Sequence, residues 1–175
     1  MQGVEETCFS WYDKNKLIYT FIEDADTGRV VGYINAMPVR EDLANRILEG
    51  KSADSEITVD DLLVYEDHNT YILYFCSIAV HPDYMNTTAF TVLYNAFMSS
   101  LIHLSERGIY ITSVIADGVS SRGARLCRLC GLKPVLDTNH GSTIYYLSLM
   151  PDKFKAISYE GEKLKEIYER RFGYE

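Results

Sequence analysis

The sequence predicts a mixed α/β fold in which helices pack on one twisted sheet. Three observations carry that expectation. Residues 71–80 (YILYFCSIAV) are apolar on both faces, as a strand in the middle of a sheet must be. Residues 87–106 then place apolar side chains at helical spacing for about five turns. Short β-rich segments bounded by Gly, Pro, Asp and Asn flank this pair on both sides.

Taken in order, residues 5–14 carry Cys8, Trp11 and Tyr12 at i, i+3 and i+4, which predicts a short amphipathic helix that Asn15 helps to end. Residues 17–23 (LIYTFIE) and 29–36 (RVVGYINA) are strand-like, and the turn chemistry of residues 24–28 (DADTG) joins them into a hairpin. Pro38 is expected to close it. Residues 41–49 set Leu43, Ile47 and Leu48 on one helical face, with Gly50 as the stop. Residues 52–67 are expected to be irregular or briefly helical, and Thr58-Val59-Asp60-Asp61 resembles a helix start. After the central strand, His81-Pro82-Asp83-Tyr84 interrupts the chain before the long helix, whose predicted buried stripe is Phe90, Leu93, Tyr94, Phe97, Leu101 and Leu104. Gly108 stops that helix, and residues 109–116 form the next strand. Ser120 or Ser121 caps a helix running to Cys130 and ended by Gly131. Residues 132–136 and 142–149 make a last hairpin.

The predicted organisation is one domain over residues 1–150, with an acidic insertion at 41–69, followed by a helical extension at 151–175. The extension has six acidic and six basic residues, and Gly161 is expected to break or kink it. Its apolar residues, among them Phe154, Leu164 and Tyr168, are free to pack on the body or on a second copy, which leaves a homodimer open.

The chain of 175 residues is long enough to bury a core without disulfides or a structural metal. Its net charge of -8 gives no overall basic footprint for nucleic acid and argues against anionic membrane surfaces. No apolar run approaches the roughly 18 residues of a membrane span. The acidic start of the chain lacks a signal-peptide pattern, and Cys8, Cys76, Cys127 and Cys130 read as reduced thiols, so a cytoplasmic protein is expected. Cys127 and Cys130 form a C-x-x-C with no second pair, so no metal is expected. The charge is uneven. Residues 41–67 hold nine acidic residues against Arg46 and Lys51, which leaves the rest of the chain close to neutral. That stretch is either a solvated face or a negative rim that steers a cationic substrate.

The junction after the central strand carries a resemblance. Ile78-Ala79-Val80-His81-Pro82 leads through a polar turn into the long helix, Val31-Gly32-Tyr33-Ile34 precedes it in a hairpin, and Leu126-Cys127-Arg128-Leu129-Cys130-Gly131-Leu132 follows on a shorter helix. In this order and spacing the segments resemble the GNAT-type N-acetyltransferase superfamily over about residues 6–149, so the expected fold is a GNAT-like twisted mixed sheet flanked by helices. The family's first strand and first helix have no counterpart, so the starting edge of the sheet is open, covered by the tail, or completed by another chain.

The resemblance implies acetyl-CoA as cosubstrate. It implies that the backbone of Ile78, Ala79 and Val80 pairs with the pantetheine amides. It also implies that the loop Met85, Asn86, Thr87, Thr88, Ala89 and Phe90 holds the pyrophosphate. This loop departs from the family's Arg-x-x-Gly-x-Gly pattern, with Met85 in place of the basic residue and Thr88 and Phe90 in place of the glycines. Backbone N–H groups survive those changes, and the Thr87 and Thr88 hydroxyls are added donors. Cys127 falls where the family often has a Tyr acting as general acid, and its other reading is a small buried apolar residue. Glu66 and Asp67, near the start of the central strand, and His140, in the last hairpin loop, are the expected substrate-binding residues. Asp117 caps a turn or contacts a ligand, and His81 shapes its turn. Two functions are therefore expected: an acetyl-CoA-dependent N-acetyltransferase acting by direct transfer on a small or peptide amine, cationic in view of the acidic insertion, or a catalytically inactive GNAT-like binding or dimerisation module with a defunct coenzyme A site.

Overall fold

The computed structural model describes residues 2–173. Tyr174 and Glu175, counted in the expected tail helix, lie outside them. The elements run α1 (Gln2–Lys14), β1 (Tyr19–Glu23), β2 (Val30–Val39), α2 (Glu41–Leu48), β3 (Thr70–Val80), α3 (Ala89–Glu106), β4 (Tyr110–Gly118), α4 (Ser121–Leu129), β5 (Lys133–Asp137), β6 (Thr143–Ser148) and α5 (Tyr159–Phe172). Single 3-10 turns occupy Lys16–Ile18, Asp54–Glu56, Val59–Asp61 and Pro82–Tyr84.

The six strands form one sheet in the order β1-β2-β3-β4-β6-β5. The β3–β4 pair is parallel and the other four neighbouring pairs are antiparallel. β3 is buried on both faces as its composition requires. Tyr71, Leu73 and Phe75 enter the larger core under α3, α4 and α5, while Tyr74 enters the second core under α1 and α2. Leu93, Tyr94, Phe97, Leu101 and Leu104 of the predicted stripe are buried, whereas Phe90 is half-buried.

Three expectations are corrected. Pro38 does not close the hairpin, because β2 continues through it to Val39. β1 stops pairing with β2 at Asn35, and the Pro38 carbonyl instead accepts from Leu63 N at 2.8 Å. The missing N–H therefore falls on the side away from β3 and breaks no ladder bond. β4 extends past Ala116 to Gly118, so Asp117 is a strand residue and not a turn cap. Gly161 lies in the first turn of α5, where its N–H bonds to the capping Ser158 Oγ at 3.1 Å, and it produces no break.

The tail is part of the main core. Phe154, Leu164 and Tyr168 are buried there, and α5 packs on α3. The β3–β4 register slips between Tyr71 and Ile72, which skips Thr112 on β4. The fully buried Tyr168 hydroxyl accepts from the neighbouring Ile111 N–H at 2.8 Å. Burial raises the Tyr168 pKa, so the phenol stays neutral.

Removing that hydroxyl leaves a buried amide without a partner. Tyr168→Phe is expected to lower the unfolding free energy by about 1–3 kcal/mol, read from the urea midpoint at unchanged slope. An unchanged midpoint contradicts this role.

Candidate functional site

The site begins where β3 and β4 part. Their pairing ends at Phe75↔Ala116, yet β3 runs on to Val80 and β4 to Gly118. On the β2 side, Asn35 pairs with Ser77 and Ala36 with Phe75, so Cys76 is an extra, bulged residue. A bulge bends its strand, and this one turns β3 away from β4. The hydrogen-bond alternation then decides which groups face the gap. His81 N–H bonds to Val31 O, so His81 and Ala79 turn toward β2, and Ile78 and Val80 turn their N–H and C=O groups toward the gap. Of the three residues assigned to the pantetheine, two are positioned to pair with a ligand and Ala79 is not.

The loop that follows is internally bonded. His81 Nδ1 accepts from Asp83 N, and Tyr84 Oη donates to Asp24 Oδ2 at 2.7 Å, which ties the loop to the β1–β2 turn. Tyr84 is the largest cause of the lowered Asp24 pKa. Met85 N–H and Thr87 N–H bond to the carbonyls of Pro82 and Tyr84. The Thr87 hydroxyl donates to Tyr84 O and accepts from Ala89 N–H. Met85, Thr87 and Ala89 are thus poor ligand donors, contrary to the expectation for the whole loop. First-turn amides of a helix have no intrahelical acceptor. This makes the Thr88, Phe90 and Thr91 amides the available donors, with Asn86 just before them, and Thr91 was not foreseen. Phe90 does not obstruct the approach. Its ring packs on the main core and stacks on Tyr94 at 6.5 Å.

The opposite wall is α4. Ser120 caps it through Gly123 N–H at 3.0 Å. Gly118 lets it sit close, because a Cβ there would lie 2.7 Å from the Tyr145 ring and 3.3 Å from Ala124 Cα. α4 carries Arg122, Arg125 and Arg128 and no acidic residue. Arg122 reaches across to Met85 Sδ. A cation from another helix thereby occupies the region where the resemblance expects a basic loop residue. Arg122 is the residue that motif reasoning missed; three arginines on one nine-residue helix of an acidic chain were the available signal.

Cys127 on α4 is half-buried against the main core. Burial, with the nearby Asp117 charge adding to it, pushes its thiol up to about 11 from 9.0. Burial pushes the Cys130 thiol up to about 12. Two buried polar atoms beside the gap lack a hydrogen-bond partner among the described residues, Asp117 Oδ1 and Tyr145 Oη. Buried oxygens in that state mark places where water or a ligand completes the structure.

The expected substrate-binding residues are not brought together. Glu66 and Asp67 precede β3, so they sit a whole strand length, about 33 Å, from Val80. Asp67 is held there by Arg107 Nη2 at 2.8 Å. His140 lies in the β5–β6 loop, at the same end of the sheet as Gly118, whose partner Thr143 begins β6. The middle of the acidic insertion reaches that loop. A Cβ on Gly50 would meet Leu136 and Thr138, and Glu56 has a lowered pKa from Ala53 and Ser52 hydrogen bonds, with smaller contributions from Arg46 and His140. No group of three or more His, Cys, Asp or Glu residues that could hold a metal occurs among the described residues, and no described helix is long and apolar enough to cross a membrane.

The strand order, the single parallel junction and the flanking helices make the mixed α/β arrangement expected of a GNAT-like fold. No family model and no curated protein matches the chain. Among solved structures, it is similar to PH1933 from Pyrococcus horikoshii OT3, with 12% identity and a TM-score of 0.51 over 84% of this chain and 74% of that one. It is also similar to the C-terminal condensation domain of Ebony in complex with beta-alanyl-dopamine, with 9% identity and a TM-score of 0.50 over 84% and 78%. Ard1 from Thermoplasma volcanium aligns at 13% identity and a TM-score of 0.46 over 79% and 74%. At these identities the likeness is one of fold.

The thiol environments have a direct readout. A thiol held near 11 is almost wholly protonated at neutral pH, and the thiolate is the nucleophile. Alkylation of Cys127 in the folded chain is expected to be about tenfold or more slower than in a denatured control at pH 8, and to accelerate only as pH rises toward 11. Mass mapping of iodoacetamide adducts checks this. Equal rates in both states contradict it.

Proposed function

We propose that this protein is an acyl-CoA-dependent acyltransferase that moves an acetyl group from the thioester sulfur to a primary amine. The observation that carries the reading is the gap itself: strand backbone left free at Ile78 and Val80, ending at a helix N-terminus and facing Arg122 of α4. Free N–H and C=O groups in alternation match a chain of amides such as pantetheine. First-turn amides and the helix dipole favour phosphate oxygens. Arg122 supplies the positive charge that Met85 cannot.

In this reading the Ile78 N–H stabilises negative charge developing on the thioester oxygen. Asp117, a carboxylate at the open end of β4 with one oxygen unpartnered, accepts the proton that the amine must lose. Cys127 is a weak candidate for returning a proton to the departing thiolate. The burial that keeps it protonated also makes it less acidic than an ordinary thiol, and so a poorer proton donor. Protonation from solvent or from the transferred amine proton is easier. Glu56 and His140 line the acceptor side near the last hairpin, and Glu56 suits a cationic amine.

Isothermal titration with acetyl-CoA tests the reading. Saturable binding is expected, weakened about tenfold by Arg122→Glu at low salt and less at high salt. Absence of binding at millimolar acetyl-CoA overturns it and leaves the inactive-module alternative. For activity, Asp117→Asn is expected to lower kcat by about a hundredfold or more, while Cys127→Ala changes it by less than about tenfold. The reverse order would reassign the acid and base.

A further inference from the structure

We infer that a second copy of this chain pairs with the free edge of β1, giving a two-fold dimer with one continuous sheet. β1 is the outermost strand of the sheet, and no strand lies beyond it among the described residues. Asp24 N–H bonds to Arg29 O, and alternation along β1 then turns Thr20 and Ile22 toward β2. Tyr19, Phe21 and Glu23 accordingly point their backbone N–H and C=O groups outward. The strand YTFIE contains no proline or lysine, the residues that most often block such an edge.

The outward residues select one register. Antiparallel self-pairing centred on Phe21 matches Phe21 with the partner's Phe21 and Tyr19 with the partner's Glu23. It forms three hydrogen-bonded residue pairs, where a shift by two residues in either direction forms two. It also keeps Glu23 away from its own copy, and like charges directly opposite are destabilising.

Charge and surface chemistry agree with that register. Lys16 lies before β1, and Glu23, Asp24 and Asp26 lie at its other end. Pairing about Phe21 brings the turn that holds Lys16, where it pairs with Asp13 at an exposed site, to the same end as the partner's acidic turn around Asp26. Beside the Lys16 end is an open groove lined by Leu17, Tyr19, Ser100, His103, Leu104 and Arg107. The partner's acidic turn approaches this side, so a negative loop comes near Lys16. On the other face of the sheet an aromatic ladder runs to the edge. Tyr12 and Tyr19 are 6.1 Å apart, Tyr19 and Phe21 stack at 5.5 Å, and Phe21 and Tyr33 lie 6.5 Å apart. Phe21 is 49% exposed and Leu17 55% exposed in the single chain, and the pairing covers both. The occupant that satisfies the backbone, the aromatic edge and the end-to-end charge asymmetry at once is the same segment turned by 180°.

The test is the mass of the full-length chain in solution, independent of coenzyme A. Sedimentation equilibrium is expected to give twice the chain mass of 20.0 kDa. Phe21→Asp is expected to give a monomer with an unchanged circular dichroism spectrum. Lys16→Asp or Asp26→Lys alone is expected to raise the dimer Kd about tenfold, and the double variant Lys16→Asp/Asp26→Lys is expected to restore it. A monomeric native chain up to its solubility limit overturns the inference. So does a dimer that survives Phe21→Asp and shows no rescue in the charge-swapped double variant.

Discussion

The structure depends most on the parallel pairing of β3 with β4 and on the point at which that pairing stops. Parallel neighbours cannot be joined by a tight turn, so the chain must leave β3 at its far end and return through a long helix. That requirement delivers the chain from Val80 into the loop 81–88 and then into α3. While the strands are paired, between Thr70 and Phe75, they form the middle of both cores. Once Cys76 bulges, the same strand becomes an open backbone edge beside a helix N-terminus. Core and cleft are two halves of one strand, and a change that repaired the ladder would close the site.

The net charge of -8 conceals a polar arrangement. The acidic insertion folds over the face under α2, with Leu43, Ala44 and Ile47 buried against the sheet. Its middle reaches the β5–β6 loop, while its end, Glu66 and Asp67, lies at the far end of β3. Arg122 of α4 stands across the gap from the loop, beside Met85. Charges of opposite sign thus stand at the two sides of one cleft, which a mean charge does not reveal.

Much of the fold was legible because each element announces its own burial. The β-rich composition of β1, the two-sided apolar run of β3 and the stripe of α3 are all properties of a single segment. The errors came where a contact with another segment decides the outcome. Pro38 looks like a terminator until the Leu63 strand-like contact is seen to lie on its other side. Gly161 looks like a breaker until Ser158 caps the turn that contains it. Glu66 and Asp67 looked close to the site because they are close to β3 in sequence, but a strand separates its two ends by its full length.

The order of elements, the central position of β3 and the location of the loop after Val80 were determined by the sequence alone. Hydrophobic period and turn chemistry are local properties, and they suffice for those features. Only the tertiary structure decided which loop amides stay free, that Arg122 stands beside Met85, that Asp117 keeps a buried oxygen without a partner near the end of β4, and that the tail belongs to the main core through Tyr168 and Ile111. Each of these joins groups distant in sequence, and hydrogen-bond direction and charge proximity exist only after the chain has brought them together.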